Sequence, residues 1–241
     1  MINESEVRRK YSEIKEIWSN DDRWHVHTRR KIDGYVREFL MYDTVLDETD
    51  KILLVGSAGN SHGLKLENMI HLDISEKFLS PPNSIAATVT NLPIASNSIK
   101  AIVCVGSVIN YTDIYLSLSE LSRVLIAKGK MLIEFESSWS FEYLFKKAFK
   151  KHACISETFY QNKKEMLWVY SDTLVVGLAK KFGLGVDYER HIHILSPLLF
   201  RFTGLQNLSS KVSFLDDAPI VKGLLSKYAS NVIICFSKFS E

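Results

Sequence analysis

Apolar and polar positions along this chain follow two different periods. Val7, Tyr11, Ile14 and Trp18 recur at steps of four, three and four, the spacing of one helical face. After a polar break at 19–22, a second stripe runs through Ile32, Tyr35, Val36, Phe39 and Leu40. The texture changes at residue 51. The run 51–55 (KILLV) is short, continuously apolar and followed by Gly56, the pattern of a strand buried on both faces. Similar runs at 69–72, 85–89, 101–105 and 130–135 predict further strands. Between the last two, Ile114, Leu118, Leu121 and Leu125 form the inner stripe of an amphipathic helix, with Thr112 or Asp113 to cap it and Gly129 to end it.

Beyond Glu136 the alternation loosens. Phe141, Leu144, Phe145 and Ala148 predict an aromatic-rich helix with Lys146, Lys147, Lys150 and Lys151 on its other side. Such a basic face suits solvent over a packed cover, with surface contact to a membrane as the alternative. Residues 153–170 read as a hairpin turning near Asn162. Ser171 caps a helix that stops at Gly183, and 186–194 and 231–239 are two final strands. Buried strands separated by helices or loops predict an α/β fold with a mainly parallel sheet.

Composition narrows the function classes. With 241 residues, 46% hydrophobic and 24% charged, the chain can bury one sizeable core. Thirty basic against 28 acidic side chains leave +2, without the basic excess of a protein that coats nucleic acid, so no nucleic-acid partner is expected. Cys104, Cys154 and Cys235 stand far apart and form neither a disulfide framework nor a zinc spacing. No metal is expected. The charged start (MINESEVRRK) has no apolar run behind it, and no stretch approaches the ~18 apolar residues of a membrane span. The expectation is a cytoplasmic protein.

The richest stretch for chemistry is ILLVGSAGNSHG at 52–63, where a strand runs straight into small residues that let backbone approach a ligand. The next strand ends in Asp73, placed to accept hydrogen bonds from a ribose diol. The glycines fall at 56, 59 and 63, which is not the G-x-G-x-x-G spacing of a dinucleotide fold.

Five ordered segments over 51–136 resemble the core of the class I S-adenosylmethionine-dependent methyltransferases, in particular the small-molecule, type 11-like group. LLVGSAG (53–59) lies on that family's first-strand loop, and Asp73 on its second-strand acid. TVTNLPIASNSIK (88–100) follows the third segment, AIVCVGSVINY (101–111) the fourth, and ELSRVLIAKGKMLIE (120–134) the fifth. The resemblance implies a doubly wound, mostly parallel, seven-stranded Rossmann-like sheet in a single domain. An N-terminal helical lid would occupy 1–48, the cofactor core 49–136, an insertion after strand five covering the substrate 137–183, and the final strands 184–241.

It also implies roles. Gly56, Ser57 and Ala58 would pass under the methionine part of S-adenosylmethionine and offer N–H groups. Asp73 would hold the ribose, Ile74 would pack on the adenine, and Thr88 and Val89 would read its edge. Gly106 would border the reacting methyl. Leu54, Ala58 and Thr88 depart from the acid, glycine and aspartate usual at their positions. The implied reaction is O- or N-methylation of a small-molecule acceptor, releasing S-adenosylhomocysteine. A catalytically inactive methyltransferase-like partner protein and a nicotinamide-dependent oxidoreductase are the alternatives. For a general base the candidates are Glu136, Tyr111 and His193, with Tyr11, His25 and His191 behind them. The N-terminal helices, bearing Trp18 and Trp24, would close over the site, and Asp73 would face solvent at its strand tip.

Overall fold

The computed structural model describes residues 4–14, 17, 23–80, 83–160 and 163–240. Trp18, the polar break at 19–22 and the turn at Asn162 lie outside the described residues. Two helices come first, α1 (Glu4–Glu13) and α2 (Arg23–Glu38), and α2 runs into a π-helical turn at Phe39–Asp43. Next come β1 (Ile52–Val55), β2 (Met69–Asp73), β3 (Ser84–Ala86), β4 (Ile99–Cys104), α3 (Ile114–Val124) and β5 (Leu125–Glu136). A hairpin of β6 (Ala153–Tyr160) and β7 (Lys163–Tyr170) leads to α4 (Asp172–Lys181) and β8 (Leu184–Ile192). Short helices α5 (Ser196–Thr203), α6 (Gln206–Ser210) and α7 (Pro219–Leu225) precede the last strand, β9 (Asn231–Lys238).

Seven strands form one doubly wound sheet in the order β3-β2-β1-β4-β5-β9-β8. The pairs from β3 to β5 are parallel, and β9 runs antiparallel to both β5 and β8. The period of two along each strand divides its side chains between two cores. Leu53, Ile102 and Ile133 face Leu118 and Leu121 of α3 and Val175 and Ala179 of α4. Leu54, Val103, Leu132 and Ile233 face Ile32 and Val36 of α2, together with Phe39 and Leu40.

Three sequence expectations change here. First, α2 is a layer of the core and not only a cover over the site. Among the described residues, the links from β1 to β4 carry no helix beyond a 3-10 turn at Glu76–Phe78, so this face of the sheet needs α2. Second, α3 ends at Val124 and not at Gly129, because Leu125 turns extended and pairs with Ile99 in the sheet. Third, the basic stretch containing Lys146 and Lys151 is not a helix. It holds a 3-10 turn at Phe141–Tyr143, then left-handed backbone at Phe145 and Lys150, conformations that stop an α-helix in L-residues. Lys150 lies over the rings of Trp139 and Phe149, each at 5.2 Å, so no continuous basic helical face is left for a membrane surface. No helix among the described residues is long and apolar enough to cross a membrane.

Phe39 and Tyr42 share the π-helical turn, yet Phe39 is fully buried and Tyr42 is 84% exposed. Phe39→Ala is expected to lower stability by about 3–5 kcal/mol, and Tyr42→Ala by less than about 0.5 kcal/mol. Thermal unfolding of both variants checks the placement of this turn in the core.

Candidate active site

The C-terminal ends of β1, β2, β4 and β5 open on one edge of the sheet. Strand order reverses at β1 there, the crevice where open α/β sheets hold ligands. Two adjoining cavities occupy it, and both are lined by Tyr11, Gly106 and Tyr111.

The smaller, about 70 Å³, is lined by Gly56, Leu72, Asp73, Ile74, Thr88 and Val89, with Val7 of α1 at its mouth. Its floor is made by the turn after β1. Gly56 has φ +64°, and a Cβ there would stand 2.1 Å from Val108 Cγ2, so no other residue fits. The N–H groups of Gly56 and Ser57 both donate to Leu72 O, at 2.7 and 3.3 Å. Ala58 N donates to Asp73 Oδ2 at 3.0 Å, and Ser75 N donates to Oδ1 at 3.0 Å. Asp73 is therefore 6% exposed rather than solvent-facing. Burial raises its pKa, against the backbone N–H groups that favour the charged form. Ser57 and Ala58 do not line the cavity, and their N–H groups are engaged within the loop, unlike the role implied for them.

Helix α1 crosses this opening. It has no fully buried residue. Polar contacts hold it instead: Thr90 Oγ1 donates to Glu4 Oε1 at 2.8 Å, and Lys10 Nζ reaches Glu165 of β7 at 2.6 Å. A helix attached this way opens more readily than one seated in a core. Over the smaller cavity the N-terminal cover is thus α1, while Trp24, His25, Thr28 and Ile32 of α2 wall the adjoining one.

The larger cavity, about 130 Å³, lies at the end of β5. Its lining includes Glu134, Glu136, Glu142, Trp24, Thr28 and Phe200, with His25. Glu134 and Glu136 fall on one face of β5 by the period of two, in line with Leu132 under α2. Glu134 is fully buried. Its Oε2 accepts from Gly106 N at 2.8 Å and Ser107 N at 2.6 Å, and its Oε1 from Asn231 Nδ2 at 2.6 Å. Asn110, also buried, fixes the backbone of Glu136: its Oδ1 accepts from Glu136 N at 3.0 Å, and its Nδ2 donates to Glu136 O at 3.3 Å. Ser107 Oγ donates to the Glu136 carboxylate at 3.4 Å. Burial, then the neighbouring Glu142 and Glu134, push the Glu136 carboxyl up to about 8. Burial also raises Glu142.

Tyr111 stands between the cavities. Its hydroxyl donates to Glu165 Oε2 at 2.8 Å, and Tyr11 meets its ring edge-on at 6.2 Å. Burial raises its pKa far above the ordinary phenol range, so it acts as a neutral donor and not as a base. His193 is not on either lining. Its Nε2 lies 2.7 Å from Thr28 Oγ1, its Nδ1 3.0 Å from Ser196 Oγ, and its ring stacks on Trp24 at 4.0 Å. It joins α2 to α5, so its candidacy as the base falls. His191, on β8, is absent from both linings as well, whereas Tyr11 and His25 are on them. Sequence reasoning missed Glu134 and Glu142. The period of two from Glu136 was the signal for Glu134; none pointed to Glu142, whose position depends on the 3-10 turn. Among the described residues, no group of three or more His, Cys, Asp or Glu is placed to hold a metal ion.

Residues 54–133 match the family model described as a methyltransferase domain. The chain has the class I methyltransferase fold. An S-adenosylmethionine-dependent methyltransferase from Clostridium acetobutylicum is similar at TM-score 0.57 and 12% identity, over 98% of this chain and 99% of that one. Geranyl diphosphate C-methyltransferase from Streptomyces coelicolor, in complex with Mg²⁺, geranyl diphosphate and S-adenosylhomocysteine, is similar at 0.59 and 13%, over 98% and 97%. The cyclase SpnF is similar at 0.56 and 14%, over 93% and 86%. No curated protein sequence matches the chain. At such identities the likeness is one of fold, and one neighbour of this methyltransferase fold is a cyclase.

The Glu136 carboxyl links stability to pH. Unfolding between about pH 4.5 and 8 releases its proton, so stability falls as pH rises through that window and the penalty is absent below it. Glu136→Gln removes this proton. The variant is expected to match the parent near pH 4.5 and to exceed it by about 2 kcal/mol at pH 8.5, a partial share of ~1.4 kcal/mol per unit because the carboxyl keeps some solvent. Thermal melts of both proteins across that range test it.

Proposed function

We propose that the protein is an S-adenosylmethionine-dependent methyltransferase that moves a methyl group to oxygen or nitrogen of a small-molecule acceptor. The cofactor occupies the smaller cavity and the acceptor the larger. The observation that carries this reading is the shared wall, since Gly106 and Tyr111 belong to both linings. Groups bound on either side meet there.

The smaller cavity fits the cofactor. Ile74 and Val89 offer apolar surface for an adenine. Asp73 has two acceptor oxygens, and the two backbone N–H groups leave lone pairs for a ribose diol. When bound, S-adenosylmethionine supplies a methyl on a sulfonium, whose transfer leaves a neutral thioether. The rest falls to this chain: alignment of the acceptor and exclusion of water. Helix α1 excludes water, Tyr111 shapes the passage, and Glu136 takes the acceptor's proton at a pKa close to working pH.

Rival readings fit less well. A pyrophosphate needs a cradle of N–H groups after β1, and those of Gly56, Ser57 and Ala58 are engaged inside the loop. A diphosphate acceptor like that of the Streptomyces neighbour would need cations, and among the described residues neither lysine nor arginine lines the larger cavity. The three cysteines are free, which supports a reducing, cytoplasmic setting.

Isothermal titration is expected to show binding of S-adenosylhomocysteine, and none of NAD. Asp73→Ala should weaken that binding roughly tenfold to a hundredfold, at ~1.4 kcal/mol per tenfold, and also lower stability by about 1–3 kcal/mol through the loop N–H groups it leaves unpaired. A folded protein that binds neither cofactor would support the inactive-partner reading instead.

Removal of residues 1–14 should leave α2 and the core folded, with weaker S-adenosylhomocysteine binding. Unchanged affinity in the truncated protein would show that α1 does not cover the site.

A further inference from the structure

The larger cavity combines carboxyl groups with aromatic walls. Glu136 and Glu142 both line it, and among the described residues no ion pair reaches either carboxylate. The ammonium of Lys10 is held by Glu165 at 2.6 Å and lies over the rings of Tyr11 and Tyr111 at 4.5 and 4.8 Å, and it acts on Glu136 at longer range. Lys146 acts on Glu142 at longer range. Beside these carboxylates, the hydroxyl of Tyr143 is fully buried, close to the Ser156 and Glu136 side chains but without a well-formed hydrogen bond among the described residues. It lies close enough for the charges of Glu142 and Glu136 to act on it. Buried polar groups left this way are rare, and the carboxylates repel one another.

One chemical class relieves all of this at once. We propose that the acceptor is an amine that enters as a small organic cation, with its ammonium held between Glu136 and Glu142 and its apolar body against Trp24 and Phe200. Carboxylates give charge-assisted hydrogen bonds to an ammonium, and aromatic faces attract the same cation. A metal ion is disfavoured because the three glutamates do not come together as a ligand set. An anion would meet like charge. The inference rests on the methyl-transfer reading, and deepens it by choosing nitrogen over oxygen. An ammonium entering beside Glu136 favours its ionised form, and the carboxylate so formed can receive the proton that the ammonium must lose before its lone pair attacks.

The test uses the full chain without cofactor and three probes of one shape and different charge: benzylamine, benzyl alcohol and phenylacetate. Titration calorimetry is expected to rank benzylamine at least tenfold above benzyl alcohol, with no binding of phenylacetate. Glu142→Gln should cut benzylamine affinity about tenfold and leave benzyl alcohol unchanged. Glu136→Gln, melted first to establish that it folds, should do the same. Equal affinity for amine and alcohol, amine binding unchanged in both variants, or no binding of any probe at millimolar concentration would each overturn the proposal. S-adenosylhomocysteine titrated into the same samples separates the two readings. Cofactor binding without amine preference rejects the acceptor class alone, and amine preference without cofactor binding rejects the methyl-transfer reading.

Discussion

The buried carboxylate of Glu134 organises this end of the molecule. It comes from β5 and accepts two backbone N–H groups from the turn after β4 and one side-chain N–H from the start of β9. A carboxylate without solvent is costly unless donors surround it; here three offset part of that cost, and burial still raises its pKa. The arrangement holds Ser107 in left-handed backbone at φ +62°, an unfavourable geometry for a residue with a Cβ. That turn carries Gly106 and leads into Tyr111, so the wall between the two cavities is held by one side chain, which itself lines the larger of them. Glu136, two residues on, inherits its direction from the same strand and its backbone clamp from Asn110.

The N-terminal region divides between two physical roles. Helix α2 and the π-helical turn behind it are core, replacing helices that the short links from β1 to β4 do not provide. Helix α1 has no buried residue and is attached by polar contacts to β7, to the loop before β4 and to the turn after β2. The hairpin of β6 and β7 supplies Glu165, which holds both Lys10 and Tyr111, and Thr158 on the larger cavity. Cover, hairpin and site are therefore coupled through one ion pair whose partners stand 155 residues apart in the chain.

The sheet was legible in the sequence because most of its strands are short apolar runs, and β1 and β4 run into Gly56 and Gly106. That Asp73, Ile74, Thr88, Val89, Gly56 and Gly106 come together on one cavity was legible because they sit at or just beyond strand ends, where position along the chain translates into position in space. What escaped was whatever depends on contacts between distant segments. Ser57 and Ala58 looked available to a ligand, yet their N–H groups close the loop onto β2. His193 looked like a strand-tip base, yet Thr28 and Ser196 hold its ring in a packed joint. The periodicity at 141–148 looked helical, yet the left-handed residues Phe145 and Lys150 break it. Glu142 reaches the cavity through that broken segment, where no regular period applies.

The central claim is that two adjoining cavities, divided at Gly106 and Tyr111, hold a methyl donor and its acceptor. A crystal structure of the full chain with S-adenosylhomocysteine tests it most directly. The account predicts the adenine between Ile74 and Val89, the ribose hydroxyls on the Asp73 carboxylate, and the sulfur at Gly106 facing the glutamate-lined cavity. Electron density for the ligand elsewhere, or with its sulfur turned away from Glu136, would contradict it.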